Sequence, residues 1–89
     1  MFTPTKSMRD EGYTIAFFKA LNGQASDVRA LNLSNMQLRS NIGHVIEGIY
    51  NYTNLSELNL TSNDLPISSL GALAAFVKSR KSVKKFSMS

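Results

Sequence analysis

The chain has no cysteine, no tryptophan, two prolines and one histidine among its 89 residues. The lack of cysteine excludes a disulfide framework, thiolate metal ligands and a cysteine nucleophile, and it is typical of proteins in a reducing compartment. The N-terminal stretch MFTPTKSMRDEGY lacks the apolar core of a signal peptide, and no apolar run approaches the ~18 residues of a membrane span. We therefore expect a cytoplasmic protein without a membrane span.

Residue types that usually carry catalysis or metal binding are few and scattered. His44 has no second histidine or cysteine with which to hold a metal ion, and it has no paired nucleophile. The glycines do not form a phosphate-binding loop, and the acidic residues form no spaced pair suited to acid–base catalysis. We expect no enzymatic activity, no metal site and no cofactor.

Basic residues outnumber acidic ones by ten to six, which gives a formal net charge of +4 at pH 7. Five of them form what we call the basic cluster: Lys78, Arg80, Lys81, Lys84 and Lys85. Such a cluster can bind nucleic acid or an anionic surface. It is also typical of the solvated C-terminal end of a helix, and no aromatic residues for base stacking alternate with these charges. Nucleic acid is therefore the less favoured partner.

A short pattern repeats along the chain at intervals of 27 and 28 residues. VRALNLSNMQL begins at Val28, LSELNLTSNDL at Leu55 and VKKFSMS at Val83. Apolar residues recur at the first, fourth, sixth and eleventh places, as far as each copy extends: Val28, Leu31, Leu33, Leu38; Leu55, Leu58, Leu60, Leu65; Val83, Phe86 and Met88. The alternation predicts a short strand and a turn in each copy.

The segments between the strands have helical spacing, with apolar places at i, i+3, i+4 and i+7. The predicted inner faces are Thr14, Phe17, Phe18 and Leu21; Ile42, Val45, Ile46 and Ile49; and Leu70, Leu73, Ala74 and Val77. Strand–turn–helix units of this kind bury their apolar faces by stacking into a parallel sheet covered by helices. The first helix has no predicted strand ahead of it, so we expect it to cap the N-terminal end.

The pattern LxxLxLxxNxL resembles the leucine-rich repeat, and its period is similar to that of the ribonuclease-inhibitor-like class. The resemblance covers Tyr13 to Ser89, and Asn63 matches the family asparagine that bonds the backbone of the turn, whereas Met36 stands at that place in the first copy. It implies an α/β solenoid, with a short parallel sheet on the concave side and helices on the convex side. It divides a single domain into a capping helix (1–26), two repeats (27–53 and 54–81) and a truncated repeat (82–89).

The resemblance implies a protein-interaction scaffold whose partner binds the strands on the side away from the helices. The residues expected there are Arg29, Ala30, Asn32, Ser34, Ser56, Glu57, Asn59, Thr61, Lys84, Lys85 and Ser87. Asn32 and Asn59 also begin glycosylation triplets, which would matter only in a secreted protein.

The third copy has no turn or helix of its own, and solenoids usually need a terminal cap. We expect a fragment of a longer leucine-rich-repeat protein. The alternatives are pairing of the open C-terminal strand edge with another copy of the chain or with a strand of a partner, and a marginally stable miniature. In each case apolar surface is expected to be exposed around Leu65, Phe76 and Phe86.

Overall fold

Helices and strands alternate along residues 1–88, the part of the chain that the computed structural model describes. Its α-helices are α1 (Glu11–Asn22), α2 (Ile42–Ile49) and α3 (Ile67–Ser79). Its strands are β1 (Ala30–Asn32), β2 (Glu57–Asn59) and β3 (Lys85–Ser87). Single turns of 3-10 helix lie at Ala25–Asp27 and Arg39–Asn41. The last residue of the predicted third repeat, Ser89, lies outside the described residues.

The three strands form one parallel sheet in the order β1–β2–β3. Leu31, Leu58 and Phe86 are register partners, so the fourth places of the three sequence copies lie side by side. This confirms the predicted α/β class and the predicted parallel sheet. The period of the sequence sets the register because a slip by one residue would turn the leucines to the opposite face.

All three helices lie on one face of the sheet, and the core fills the space between the two layers. Buried apolar side chains from both layers form a single cluster: Phe18, Leu21, Leu31, Leu33, Val45, Ile49, Leu58, Leu60, Leu73 and Phe76. Each fully buried side chain of this size contributes roughly 1.5–3 kcal/mol relative to an exposed one. The helices therefore depend on the sheet, and the sheet on the helices, for stability.

The predicted inner face of α3 is wrong in part. Its buried residues are Ser69, Leu73 and Phe76, whereas Leu70 is 37% exposed and Ala74 is exposed. The helix is rotated by about one residue from the predicted orientation. The aromatic ring of Phe76 buries more apolar area than the methyl group of Ala74, which favours the observed rotation.

The expectation that Phe76 is exposed is also wrong, since its side chain is 0% exposed. Its ring packs edge-on against that of Tyr50, with centroids 5.0 Å apart. Leu65 and Phe86 are partly buried. The exposed apolar surface of this region lies instead on α3, where Ile67 is 86% exposed.

The segment ahead of α1 takes part in the sheet, contrary to expectation. Phe2 forms an isolated parallel bridge with Leu31, in which its N–H donates to the carbonyl of Ala30 and its carbonyl accepts from the N–H of Asn32, both at 2.9 Å. Met8 follows and is fully buried in the core. The N-terminal segment therefore consists of a bridging strand residue, a loop and α1.

Asn63 joins the turns that follow β1 and β2. Its side chain is 1% exposed, and its amide nitrogen donates to the carbonyls of Leu33 (2.7 Å) and Leu60 (3.0 Å). Its Oδ1 accepts from the backbone N–H groups of Met36 (2.9 Å) and Leu38 (3.3 Å). One side chain thus satisfies backbone groups in two successive copies, which ties neighbouring units together.

Candidate binding surface

The outer sheet face is the side of the three strands that points away from the helices. Of the predicted outward residues, those at the two ends of each strand flank its central residue: Ala30, Asn32, Glu57, Asn59, Lys85 and Ser87. The others lie next to the strands in the chain, and their place on this face stays a prediction: Arg29, Ser34, Ser56, Thr61 and Lys84. Within each of the first two strands, the central leucine is buried while its two neighbours are only half-buried. All three strand residues of β3 are more exposed than those of β1 and β2. The face is therefore most open at its C-terminal edge.

The strand register arranges this face in two rows. Ala30, Glu57 and Lys85 form the first row, which sets a carboxylate beside a cation on the neighbouring strand. The second row is Asn32, Asn59 and Ser87, that is, two side-chain amides followed by a hydroxyl. Side chains directly opposite each other on neighbouring strands lie about 4.5–5.5 Å apart at Cβ. One extended ligand can contact a whole row at once.

The two asparagines of the second row use their side chains in the same way. Oδ1 of Asn32 accepts from the N–H of Ser34 (3.0 Å), and Oδ1 of Asn59 accepts from the N–H of Thr61 (3.1 Å). Such bonds to the backbone two residues on hold the start of the turn. Within residues 1–88 neither NH₂ group donates a hydrogen bond, so both remain available to a ligand on the outer sheet face.

Several hydroxyl groups of the face are occupied by local bonds. Ser56 Oγ donates to the carbonyl of Arg29 (2.9 Å), and Thr61 Oγ1 donates to Asn59 Oδ1 (2.9 Å). Thr3 borders the face and donates its hydroxyl to the carbonyl of Asn32 (2.9 Å). No sequence pattern indicates Thr3, because its position depends on the bridge made by Phe2. In the described residues, the free donors of the face are therefore the asparagine amides, the cationic side chains and the hydroxyl groups of Ser34 and Ser87.

The basic cluster divides into two kinds of residue. Its four lysines are exposed: Lys78, Lys81, Lys84 and Lys85. Arg80 is half-buried, and its guanidinium lies over the rings of Tyr50 (5.4 Å) and Phe76 (5.5 Å) while donating to the carbonyl of Tyr50. This side chain packs α3 against the end of α2, and its role in binding stays a prediction.

β3 forms the C-terminal edge of the sheet. The N–H of Lys85 donates to the carbonyl of Ser56 (3.0 Å), and the carbonyl of Ser87 accepts from the N–H of Leu60 (2.7 Å). Because neighbouring residues of a strand direct their backbone groups to opposite sides, the N–H and carbonyl of Phe86 point away from β2. In the described part of the chain these two groups face no further strand.

A shallow groove lies between α1 and α2, on the helix side. It has a volume of about 300 Å³, and Ile15, Lys19, His44 and Glu47 are among its lining residues. His44 Nε2 lies 2.8 Å from Glu11 Oε2 nearby, so the histidine joins the two helices. Among residues 1–88, no three histidine, cysteine or acidic side chains are grouped as a metal site requires. The groove therefore shows no metal-binding group of side chains among these residues.

Tyr52 is the buried side chain with a clearly perturbed pKa. It is 1% exposed, and its hydroxyl has no hydrogen-bond partner among the described residues. Burial disfavours the charged phenolate and raises the pKa of Tyr52 from 10.0 to about 12. The ring belongs to the core and does not reach the outer sheet face.

The chain matches no family model, no curated protein and no solved structure. None of the helices in residues 1–88 combines the length and the apolar character needed to cross a membrane.

Proposed function

We propose that the chain is a short solenoid of leucine-rich-repeat type that binds another protein through the outer sheet face. The observation that carries this proposal is the register of β1, β2 and β3, which places equivalent positions of the sequence copies in rows. Asn63 supports it, because it bonds backbone groups of two successive copies. In such a solenoid the outer sheet face lies on the concave side, and the protein acts as a cytoplasmic scaffold rather than as an enzyme.

Donors and cations dominate the outer sheet face, which suggests the chemistry of the partner. The amide groups of Asn32 and Asn59 and the charges of Arg29, Lys84 and Lys85 face a ligand, whereas Glu57 is the one acidic residue of this face. A protein surface rich in carbonyl and carboxylate oxygens is complementary to this set. The face lacks the aromatic anchors that carry most of the energy at tight interfaces, so we expect moderate affinity.

Site-specific photocrosslinking tests this proposal directly. A benzophenone amino acid is introduced at Asn59 on the outer sheet face or, as a matched control, at Lys19 on the exposed side of α1. We expect protein adducts from position 59 and none from position 19. Purified partner is then titrated against Asn59→Glu, which should weaken binding about tenfold by placing a negative charge opposite the carboxylates of the partner. Adducts from position 19 alone would place the interface on the helices.

Nucleic-acid binding is the second candidate, and the four exposed lysines of the basic cluster favour it. If all four contact phosphates, the logarithm of the binding constant should fall against the logarithm of salt concentration with a slope of about −3 to −4. Fluorescence anisotropy with a single-stranded and a duplex oligonucleotide over a salt series measures this slope. A protein interface on the outer sheet face should depend far less on salt.

A further inference from the structure

The open edge of β3 presents the backbone groups that an additional strand requires. Phe86 directs its N–H and its carbonyl away from β2, and no described residue pairs with them. At the opposite edge, a single residue covers part of the sheet, because Phe2 pairs with β1 through two backbone hydrogen bonds. Extended segments of partner proteins bind exposed sheet edges through bonds of this kind.

The two faces of the sheet predict different side chains for an added strand. On the core side, Val83, Phe86 and Met88 pack against the core and are half-buried, so part of each side chain stays accessible. On the outer side, Lys85 is exposed, and Lys84 is exposed beside it in the chain. Because side chains alternate along a strand, a complementary segment carries apolar residues on one side and acidic residues on the other.

The charges of this end select an acidic segment over a second copy of the chain. Lys78, Lys81, Lys84 and Lys85 are exposed around β3, and Glu57 is the acidic register partner of Lys85. Edge-to-edge pairing of two copies would bring two such lysine groups together. Lysines at sheet edges commonly prevent this kind of self-association. A partner with negative charges gains from the same field that repels a copy of this chain.

We propose that the β3 edge binds an extended acidic segment of a partner protein as a further strand of the sheet. The apolar residues of the segment cover Phe86 and Met88, and its carboxylates lie against Lys84 and Lys85. This proposal deepens the proposed protein-binding function and rests on it. It names a second contact, which shares Lys84 and Lys85 with the outer sheet face but uses the backbone edge of β3, and the class of segment that occupies it.

Binding of designed peptides to the intact chain tests the proposal. The probe is a fluorescein-labelled peptide in which glutamate and valine alternate, and anisotropy reports its Kd. We expect binding that is lost when lysine replaces glutamate or when the same residues are rearranged in blocks. Two N-methylated versions, one modified on the valine amides and one on the glutamate amides, then separate the edges of the peptide strand. Only one version should retain binding, because only alternate amides face β3.

Variants of the protein test the charges. The double variant Lys84→Glu, Lys85→Glu should weaken binding about tenfold or more, because two attractive pairs become repulsive. The variant Lys19→Glu changes charge on α1 and should leave Kd unchanged. Circular dichroism establishes that each variant is folded. Equal binding by both N-methylated peptides, or no effect of the double variant, overturns the proposal, as does concentration-dependent self-association detected by light scattering.

Amide exchange measured by NMR separates this proposal from the outer-face proposal. Bound peptide should protect the backbone N–H of Phe86, with little change in the side-chain amide signals of Asn32 and Asn59. Shifts confined to those asparagines would overturn edge binding and leave the outer sheet face as the docking site. Protection of Phe86 combined with an absence of adducts from position 59 would support the edge contact and reject the outer sheet face.

Discussion

The two edges of the sheet are built differently. At the N-terminal edge, Phe2 pairs with β1, Met8 is buried, and the side-chain amide of Asn41 donates to the carbonyls of Met8 (2.9 Å) and Arg9 (3.0 Å). At the C-terminal edge, β3 is exposed on its outer side and is flanked by lysines. The first edge is covered by the chain itself. The second edge is open, and the charge of its lysines restricts which strands can pair with it.

The difference shows two physical ways of managing a sheet edge. A covered edge satisfies backbone groups internally and adds apolar burial, so it contributes to stability. A charged edge leaves those groups to water and restricts which partners approach, so it contributes to selectivity. Substitutions near Phe2 and Met8 should therefore change the free energy of unfolding, whereas substitutions of the β3 lysines should mainly change binding.

The largest expected difference in the free energy of unfolding is between substitutions of two methionines at opposite edges of the sheet. Met8→Ala removes a fully buried side chain and should lower the free energy of unfolding by about 2–5 kcal/mol. Met88→Ala removes a partly buried one and should cost about 1 kcal/mol. Urea titration followed by circular dichroism measures both. If Met8→Ala costs no more than Met88→Ala, the N-terminal segment is not an integral part of the core.

Tyr52 provides a pH-dependent test of the core that lies between the two edges. The unfolded chain ionises Tyr52 near pH 10, but the folded chain retains the proton until about pH 12. Its contribution to stability is present below pH 10 and falls as the pH rises from 10 to 12, by up to about 2 kcal/mol. Unfolding free energies measured at neutral pH and at pH 11.5 report this loss.

The matched control is Tyr52→Phe, which keeps the ring and removes the hydroxyl. Since that hydroxyl has no partner in the described structure, the variant should be as stable as the parent or about 1 kcal/mol more stable at neutral pH. It should also lose less stability between pH 10 and 12. Identical pH profiles for the two proteins would mean that Tyr52 is exposed to water.

Substitution of Arg80 tests whether its contacts with Tyr50 and Phe76 stabilise the C-terminal half of the fold. Arg80→Gln removes the stacking on Tyr50 and Phe76 together with a hydrogen bond, and it should cost about 1–2 kcal/mol. Lys81→Gln changes the neighbouring exposed charge and should stay within about 0.5 kcal/mol of the parent. Thermal melts distinguish them. Equal effects would mean that the contacts of Arg80 with Tyr50 and Phe76 do not stabilise the fold.

Sequence periodicity predicts the middle of the molecule better than its ends. The register of Leu31, Leu58 and Phe86 follows from the repeat, because each leucine must face the core. The rotation of α3 does not follow, since helical spacing admits either Ala74 or Phe76 on the inner side. Only packing against Tyr50 and Arg80 decides between them.

The candidate surfaces show the same limit. Alternation along the strands predicts which residues face outward, but it cannot show that Asn32 and Asn59 commit their oxygens to the backbone and leave their NH₂ groups free. The pairing of Phe2 with β1 is equally hidden, because Pro4 interrupts any strand pattern there. The Phe2 bridge depends on a contact between residues about 30 positions apart, whereas the asparagine bonds are local and depend on the conformation of each turn.

The smallest expected changes in stability come from two helical glycines, one on α2 and one on α3. A Cβ on Gly48 of α2 would lie 2.8 Å from Cδ1 of Phe18, whereas a Cβ on Gly71 of α3 would meet nothing within 4 Å. Alanine raises helix propensity at both sites by about 1 kcal/mol. Gly71→Ala should therefore stabilise by up to that amount. At Gly48 the clash with a buried ring costs roughly 1–3 kcal/mol and should outweigh the gain. Opposite shifts in melting temperature, of a few degrees each, are expected. A stabilised Gly48→Ala variant would mean that α1 and α2 pack less closely than the distance to Phe18 indicates.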